Sequence, residues 1–99
     1  ITAIENAAQQ TGERVWHLPL PDEYRSQLDS NIADVKNIGS NWGGALTAGL
    51  FLKEFVSEGI PWAHLDIAGP AFADAAWGEH PKGGTGFGVR LLIDLVENF

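Results

Sequence analysis

Residues 62–71 read WAHLDIAGPA, an apolar run that carries a histidine, His64, and an acid, Asp66, at alternate positions. Apolar and polar side chains alternate up to Ile67, which is the period of a β-strand, where successive side chains point to opposite faces. In such a strand His64, Asp66 and Ala68 share one face. Because charged groups are seldom buried without a partner, that face predicts either a polar site or a satisfied internal network.

The strand is predicted to stop at Gly69-Pro70, because proline cannot donate to a β-ladder. Ligands of open α/β sheets commonly lie just beyond the carboxyl end of a strand. A buried strand also needs pairing partners for its backbone groups, and the sequence predicts no second clear strand. We therefore expect an α/β fold that is the C-terminal piece of a mixed sheet flanked by helices. It would be incomplete as an isolated domain, with the missing strands in sequence before Ile1.

Four helices are predicted around this strand. Apolar residues at helical spacing and a following glycine predict a helix over residues 1–10, and a second begins after Pro21 with two acids in its first turn. Residues 45–56 are apolar in nearly every direction, so this helix is expected to be largely buried. Residues 89–99 form the closing helix, with five side chains expected to face inward: Leu91, Leu92, Leu95, Val96 and Phe99. Residues 72–81 are predicted to be a loop.

Composition narrows the function classes. The 99 residues suffice for one small domain, and the absence of cysteine excludes disulfides and thiolate zinc sites. A net charge of −7 with six scattered basic residues speaks against a nucleic-acid partner. No apolar run approaches the roughly 20 residues of a membrane span, so no membrane partner is expected. Because the chain starts at Ile1 and contains no methionine, we expect it to be a piece of a longer protein or a processed product.

The titratable residues do not form a recognisable catalytic set. His17, His64 and His80 are far apart in sequence and none belongs to an HExxH arrangement, so each is better explained as structural or exposed than as a metal ligand. Asp66 is the stronger candidate for a site because its strand is expected to be buried. A structural partner inside the core, from the backbone or a histidine, is nevertheless the favoured explanation of a buried Asp66, because buried charges are usually paired for structural reasons.

Residues 82–88, KGGTGFG, invite comparison with phosphate-binding loops. The run lacks the terminal Gly-Lys-Ser/Thr of a P-loop, and it does not follow a predicted strand as a dinucleotide fingerprint does. A helix N-terminus beyond it could still bind an anion. A tight turn, where glycines let two backbones approach, is the favoured explanation. Motif chemistry alone therefore predicts a soluble α/β protein with no visible catalytic set.

Five runs in register resemble one family, the leucine aminopeptidases, which are hexameric two-metal cytosol aminopeptidases. They keep the family's order and spacing over essentially all 99 residues. The runs are TGERVW at 11–16 with LPL at 18–20, ADVKNIG at 33–39, GALTAGLFLKEF at 44–55, WAHLDIAG at 62–69 and KGGTGFGVR at 82–90. The resemblance identifies residues 1–99 as the C-terminal segment of the aminopeptidase catalytic domain, with the N-terminal domain and the metal-ligand region outside this chain.

The resemblance assigns pocket walls to this chain and no catalytic group. The family's Asn-Thr-Asp-Ala-Glu-Gly-Arg signature and its metal-binding lysines and aspartates are absent, so no catalytic residue and no metal ligand is expected here. By the resemblance, Ile38 lines the subsite beyond the scissile bond, and Ala68 and Ala71 line the pocket for the N-terminal side chain. Ala71 is small, which suggests a roomy pocket. His64 and Asp66 become supports of the strand.

The activity implied by the resemblance belongs to the whole protein. It would be a cytoplasmic metalloaminopeptidase that hydrolyses N-terminal amino acids, preferably leucine, from peptides. Two divalent ions, Zn or Mn, would bind the free N-terminus and polarise the scissile carbonyl for attack by a metal-bound water. The implied partners are the rest of the chain, a homo-hexamer and peptide substrates, and this segment alone is expected to be inactive. Two alternatives stay open: a DNA-binding regulator, as in some relatives, and an interaction module without a substrate.

Overall fold

The computed structural model describes all 99 residues, Ile1–Phe99, and places them in two compact units. One unit combines Ile1–His17 with Leu65–Phe99, and the other is formed by Leu18–His64. The two ends of the chain therefore belong to the same unit, and each unit is described by itself below.

The first unit is built on two helices, α1 over Thr2–Thr11 and α3 over Val89–Glu97. α1 ends where predicted, because Gly12 adopts the left-handed conformation with φ of 74° that closes many helices. The two helices pack on each other around a small buried core. Its buried members are Ala7, Ala8 and Leu91, and Ile4, Val15, Leu65 and Leu95 pack against them.

The predicted inward face of α3 is only partly correct. Leu91 is buried and Leu95 is half-buried, whereas Leu92, Val96 and Phe99 are exposed. Leu91 and Leu95 lie one turn apart, so they form one stripe along the helix. Within these 99 residues α3 packs against one neighbouring helix, and such a contact buries one stripe of side chains.

The sheet of this unit is formed by residues that the sequence predicts to be loops. β1, Phe72–Ala73, pairs antiparallel with β2, Gly83–Gly84, with Phe72 opposite Gly84 and Ala73 opposite Gly83. The connection between them contains an isolated bridge between Trp77 and His80, whose ring centroids are 5.0 Å apart. The mixed α/β class is confirmed, with a two-stranded sheet and flanking helices.

The strand predicted over residues 62–67 is not present. These residues have no regular secondary structure and join no β-ladder, and Ile67 and Asp66 are exposed. A segment whose polar and apolar side chains alternate forms a β-strand only where a neighbouring segment supplies hydrogen-bond partners for its backbone N–H and C=O groups. No segment of this chain supplies them, so the predicted strand does not form within these 99 residues, and its pairing with strands outside this chain stays a prediction.

The second unit consists of a 3₁₀-helix over Asp22–Leu28 and the helix α2 over Gly44–Lys53, which pack together. The helix predicted after Pro21 thus forms with the tighter winding. α2 starts one residue before its predicted start and stops three residues short of its predicted end. Beyond it, Phe55 and Val56 donate backbone hydrogen bonds to the carbonyls three residues earlier, so the chain continues as a tightened turn.

α2 is less buried than its composition predicts. Thr47, Gly49 and Leu50 are buried, but Leu52 is exposed and the ring of Phe55 is 68% exposed. Within its unit α2 packs on one element, the 3₁₀-helix, so only one side is covered. None of the helices combines the length and the apolar character of a membrane span.

Candidate substrate-pocket wall

The two alanines predicted to line the pocket lie in one turn, residues 68–71, hereafter the wall turn. The backbone N–H of Ala71 donates to the carbonyl of Ile67 at 2.9 Å, which closes the turn. Ala68 is exposed and Ala71 is half-buried, and β1 begins at the next residue. The wall turn is therefore a hydrogen-bonded turn leading into the sheet, and not the end of a strand.

Asp66 supports the wall turn from its N-terminal side. Its carboxylate Oδ1 accepts a hydrogen bond from the backbone N–H of Ala68 at 3.0 Å, as short polar side chains commonly do two residues along the chain. Asp66 is exposed, so the expected burial of this acid was wrong. Its hydrogen bond with Ala68 is a direct contact that supports the turn. His64 differs, because its Nε2 is buried and has no hydrogen-bond partner. The predicted satisfied network is thus not formed at His64.

Thr85 holds the other end of the wall turn. Its hydroxyl donates to the carbonyl of Pro70 at 2.5 Å, and its backbone N–H donates to the carbonyl of Ala71 at 2.9 Å. The same hydroxyl oxygen accepts from the backbone N–H of Phe87 at 3.2 Å. Thr85 directly follows β2, so its bonds continue the β1–β2 pairing toward the wall turn. Sequence reasoning missed this residue, which lies inside the glycine-rich run.

Ile38, the third predicted pocket residue, belongs to the other unit and is 74% exposed. The segment that carries it is anchored on both sides. The backbone N–H of Lys36 donates to the carbonyl of Leu28 at 2.7 Å, and that of Ser40 donates to Oε1 of Gln27 at 3.2 Å. A single exposed apolar side chain is common on protein surfaces, so the exposure of Ile38 does not by itself assign it to a site.

A buried acid that the sequence did not predict caps α3. Glu13 is 6% exposed, and its carboxylate accepts backbone hydrogen bonds from Gly88 at 3.1 Å and from Leu91 at 2.9 Å. The guanidinium of Arg90 lies 3.8 Å from the same carboxylate. Since Glu13 uses N–H groups at this helix start, the alternative of an anion site there was wrong. The favoured turn is supported by left-handed Gly86 and Gly88.

Charged side chains cluster on the second unit, between the 3₁₀-helix and α2. Arg25 binds both Glu54 and Asp29, and Lys53 lies 3.3 Å from Asp22. The hydrogen bond that Arg25 donates to the carboxylate of Glu54 is the main cause that raises the pKa of Arg25 above its ordinary value. Every charge in this cluster is paired with an opposite charge, so the cluster is explained as a salt-bridged surface between two helices.

The chain contains no group of three or more histidine, aspartate or glutamate side chains that could hold a metal ion. A protein site for a divalent metal needs several converging ligands of this kind. No such set converges within this chain, and the placement of the pair of divalent ions that the family resemblance implies stays a prediction.

The arrangement defines a class of protein, a small mixed α/β segment with two packed helices and a two-stranded sheet. Comparison with known proteins identifies its family. Residues 1–93 match the model of the cytosol aminopeptidase family, catalytic domain. A probable cytosol aminopeptidase of Streptomyces avermitilis is 58% identical over 97 residues, which are 97% of this chain and 19% of that protein.

Solved structures of related enzymes also resemble this chain. The bottromycin maturation enzyme BotP, determined in complex with Mn, superposes with a TM-score of 0.91 at 43% identity, over 98% of this chain and 22% of that enzyme. A tomato leucine aminopeptidase mutant superposes with a TM-score of 0.87 at 38% identity, over 99% of this chain and 18% of that chain.

The chain belongs to the cytosol aminopeptidase family. The resemblance in the five sequence runs is thereby confirmed. The chain spans about a fifth of the length of the curated relatives it matches. These matches give no support to the DNA-binding alternative.

Proposed function

We propose that this chain is the C-terminal segment of the catalytic domain of a metal-dependent aminopeptidase, and that it supplies pocket walls rather than catalytic groups. The whole protein would hydrolyse N-terminal amino acids from peptides, with a preference for leucine. The observation that carries the proposal is the family match over residues 1–93, which includes the wall turn and the segment around Ile38.

The geometry of the wall turn supports this role. Ala68 and Ala71 carry the smallest side chains that have a Cβ, and they sit on a backbone that Asp66 and Thr85 hold by hydrogen bonds. A pocket for an apolar side chain needs a rigid surface that lies in close contact with that side chain. Each methylene accommodated or rejected in such a pocket is worth about 1–3 kcal/mol. The wall turn is therefore suited to read the N-terminal side chain of a peptide.

Ile38 is assigned to the subsite beyond the scissile bond. Its exposed side chain is apolar, and its backbone is anchored to Leu28 and Gln27 through neighbouring residues. An apolar contact there would orient the residue that follows the cleaved bond. The residues of this chain that we propose to contact substrate are Ile38, Ala68 and Ala71, and we propose no catalytic residue and no metal ligand in it.

We propose that other parts of the protein bind the metal ions that the activity requires. Two divalent ions, zinc or manganese, would be bound by residues outside this chain, because the side chains described above do not fit a metal site. The relative BotP was determined in complex with Mn, which supports manganese as one candidate ion. We further propose a cytoplasmic homo-hexamer in which this segment functions with the remainder of the protein.

The test uses the whole protein that contains this segment. Purified protein is incubated with manganese or zinc and a leucyl dipeptide, and free leucine is measured. A matched substrate carries an acetylated N-terminus. We expect leucine release from the free dipeptide and none from the acetylated one. Failure to release leucine with either ion, or equal cleavage of both substrates, would overturn the proposed function.

A further inference from the structure

Thr85 makes two hydrogen bonds to the wall turn, although it lies 14 positions beyond Ala71 in the sequence. Two of its groups bind two consecutive carbonyls there, the hydroxyl binding Pro70 and the backbone N–H binding Ala71. The backbone bond would survive any substitution except proline. The hydroxyl bond depends on the side chain, so residue 85 can determine where the carbonyl of Pro70 points.

The hydroxyl of Thr85 both donates and accepts a hydrogen bond. It donates its only hydrogen to Pro70 and accepts from the backbone N–H of Phe87, two residues along the chain. A hydroxyl that is held from both sides has one preferred orientation. Serine can make both bonds, whereas valine has the shape of threonine but can make neither.

We infer that Thr85 is a positioning residue for substrate selection: its hydroxyl fixes the Pro70–Ala71 peptide and thereby sets how deep the N-terminal side-chain pocket is. The inference rests on the proposed function, because it takes the wall turn as the pocket wall. Thr85 acts through the backbone of the wall turn and does not touch the reacting atoms. Asp66 fixes the opposite end of the turn by a bond that residue 85 does not share.

This role predicts a particular kinetic signature. A leucyl side chain is long enough to reach the wall, whereas an alanyl side chain is too short to depend on its position. Loss of a contact that binds substrate and transition state equally raises KM and leaves kcat unchanged. A displaced wall should therefore raise KM for leucyl substrates and change the alanyl reaction much less.

The experiment compares Thr85→Val, Thr85→Ser and the unaltered whole enzyme on leucyl and alanyl anilides. We expect Thr85→Val to lower the leucyl-to-alanyl ratio of kcat/KM by about threefold or more, mainly through KM, in keeping with the loss of one hydrogen bond. Thr85→Ser should retain the ratio within about twofold. Thr11→Val is the matched control, because it also removes a bonded hydroxyl, one that donates to Ala7 within α1, and it should leave the ratio unchanged.

The outcomes separate the two proposals. If the unaltered enzyme cleaves neither substrate, the proposed function fails. If it cleaves both and Thr85→Val keeps the same ratio, or loses both activities equally, the positioning role is overturned. Should Thr85→Val not fold, a crystal structure of the unaltered enzyme tests whether the Thr85 hydroxyl binds the Pro70 carbonyl. A hydroxyl of Thr85 within 3.5 Å of the Pro70 carbonyl supports the role, and a larger separation contradicts it.

Discussion

The carboxylate of Glu13 accepts a hydrogen bond from the backbone N–H of Leu91 at 2.9 Å, joining residues 78 positions apart in sequence. Leu91 is fully buried in the core that α1 and α3 form. A helix start leaves several N–H groups without intrahelical partners, and an acid there also interacts favourably with the helix dipole. Glu13 thus ties the end of α1 to the start of α3, the element that follows Thr85 and the glycine-rich run.

Replacing Glu13 by alanine should destabilise the protein by about 1–3 kcal/mol, because buried N–H groups would lose their acceptor. Glutamine keeps one acceptor oxygen, so Glu13→Gln should cost less. Thermal unfolding of the whole protein measures both effects. Glu58→Ala, which removes an exposed acid from the other unit, is the control. An unfolding temperature for Glu13→Ala equal to that of the control would show that the cap contributes nothing.

Gly39 lies next to the proposed pocket residue Ile38 and has no room for a side chain. A Cβ built there would lie 2.9 Å from Cγ2 of Thr47, on α2. We expect Gly39→Ala to lower the unfolding temperature and to displace Ile38. The displacement should weaken the binding of peptides that extend beyond the scissile bond. Gly44→Ala is the matched control, since nothing lies within 4 Å of its built Cβ. Equal behaviour of the two variants would contradict the close packing at Gly39.

The isolated 99-residue chain is predicted to be inactive, because no three metal-ligating side chains converge in it. The purified segment is assayed with manganese and with zinc on a leucyl chromogenic substrate, beside the whole protein at equal molar concentration. We expect turnover only from the whole protein. Measurable metal-dependent turnover by the segment would mean that ligands within these 99 residues can bind a catalytic ion.

The helices were predictable from local signals, and the long-range contacts were not. Gly12 ends α1 because glycine adopts the left-handed conformation readily, and this can be read from the sequence. The strand over residues 62–67 does not form within this chain, and side-chain alternation says nothing about whether a partner segment lies beside it. Gly83–Gly84 was missed as a strand because glycine has low strand propensity, and its pairing with β1 is a tertiary contact.

In the candidate site, too, some residues could be predicted from the sequence, whereas those that act through long-range contacts could not. Ala68 and Ala71 came from the family resemblance, and the structure places them in one turn. Asp66 stood out as an acid within an apolar run, which is a visible signal. Thr85 and Glu13 gave no such signal, since their roles depend on the segments that fold against them. Ile38 was assigned by resemblance alone, and whether it contacts a substrate stays a prediction.

Ala71→Trp in the whole protein tests whether the wall turn limits the pocket for the N-terminal side chain. The measurement is kcat/KM on leucyl and alanyl anilides, with Ala75→Trp as the control at an exposed position in the β1–β2 connection. We predict that Ala71→Trp lowers the leucyl value by about tenfold or more relative to the alanyl value, because the indole would occupy space for the longer side chain. Unchanged cleavage of both substrates by Ala71→Trp would contradict the account.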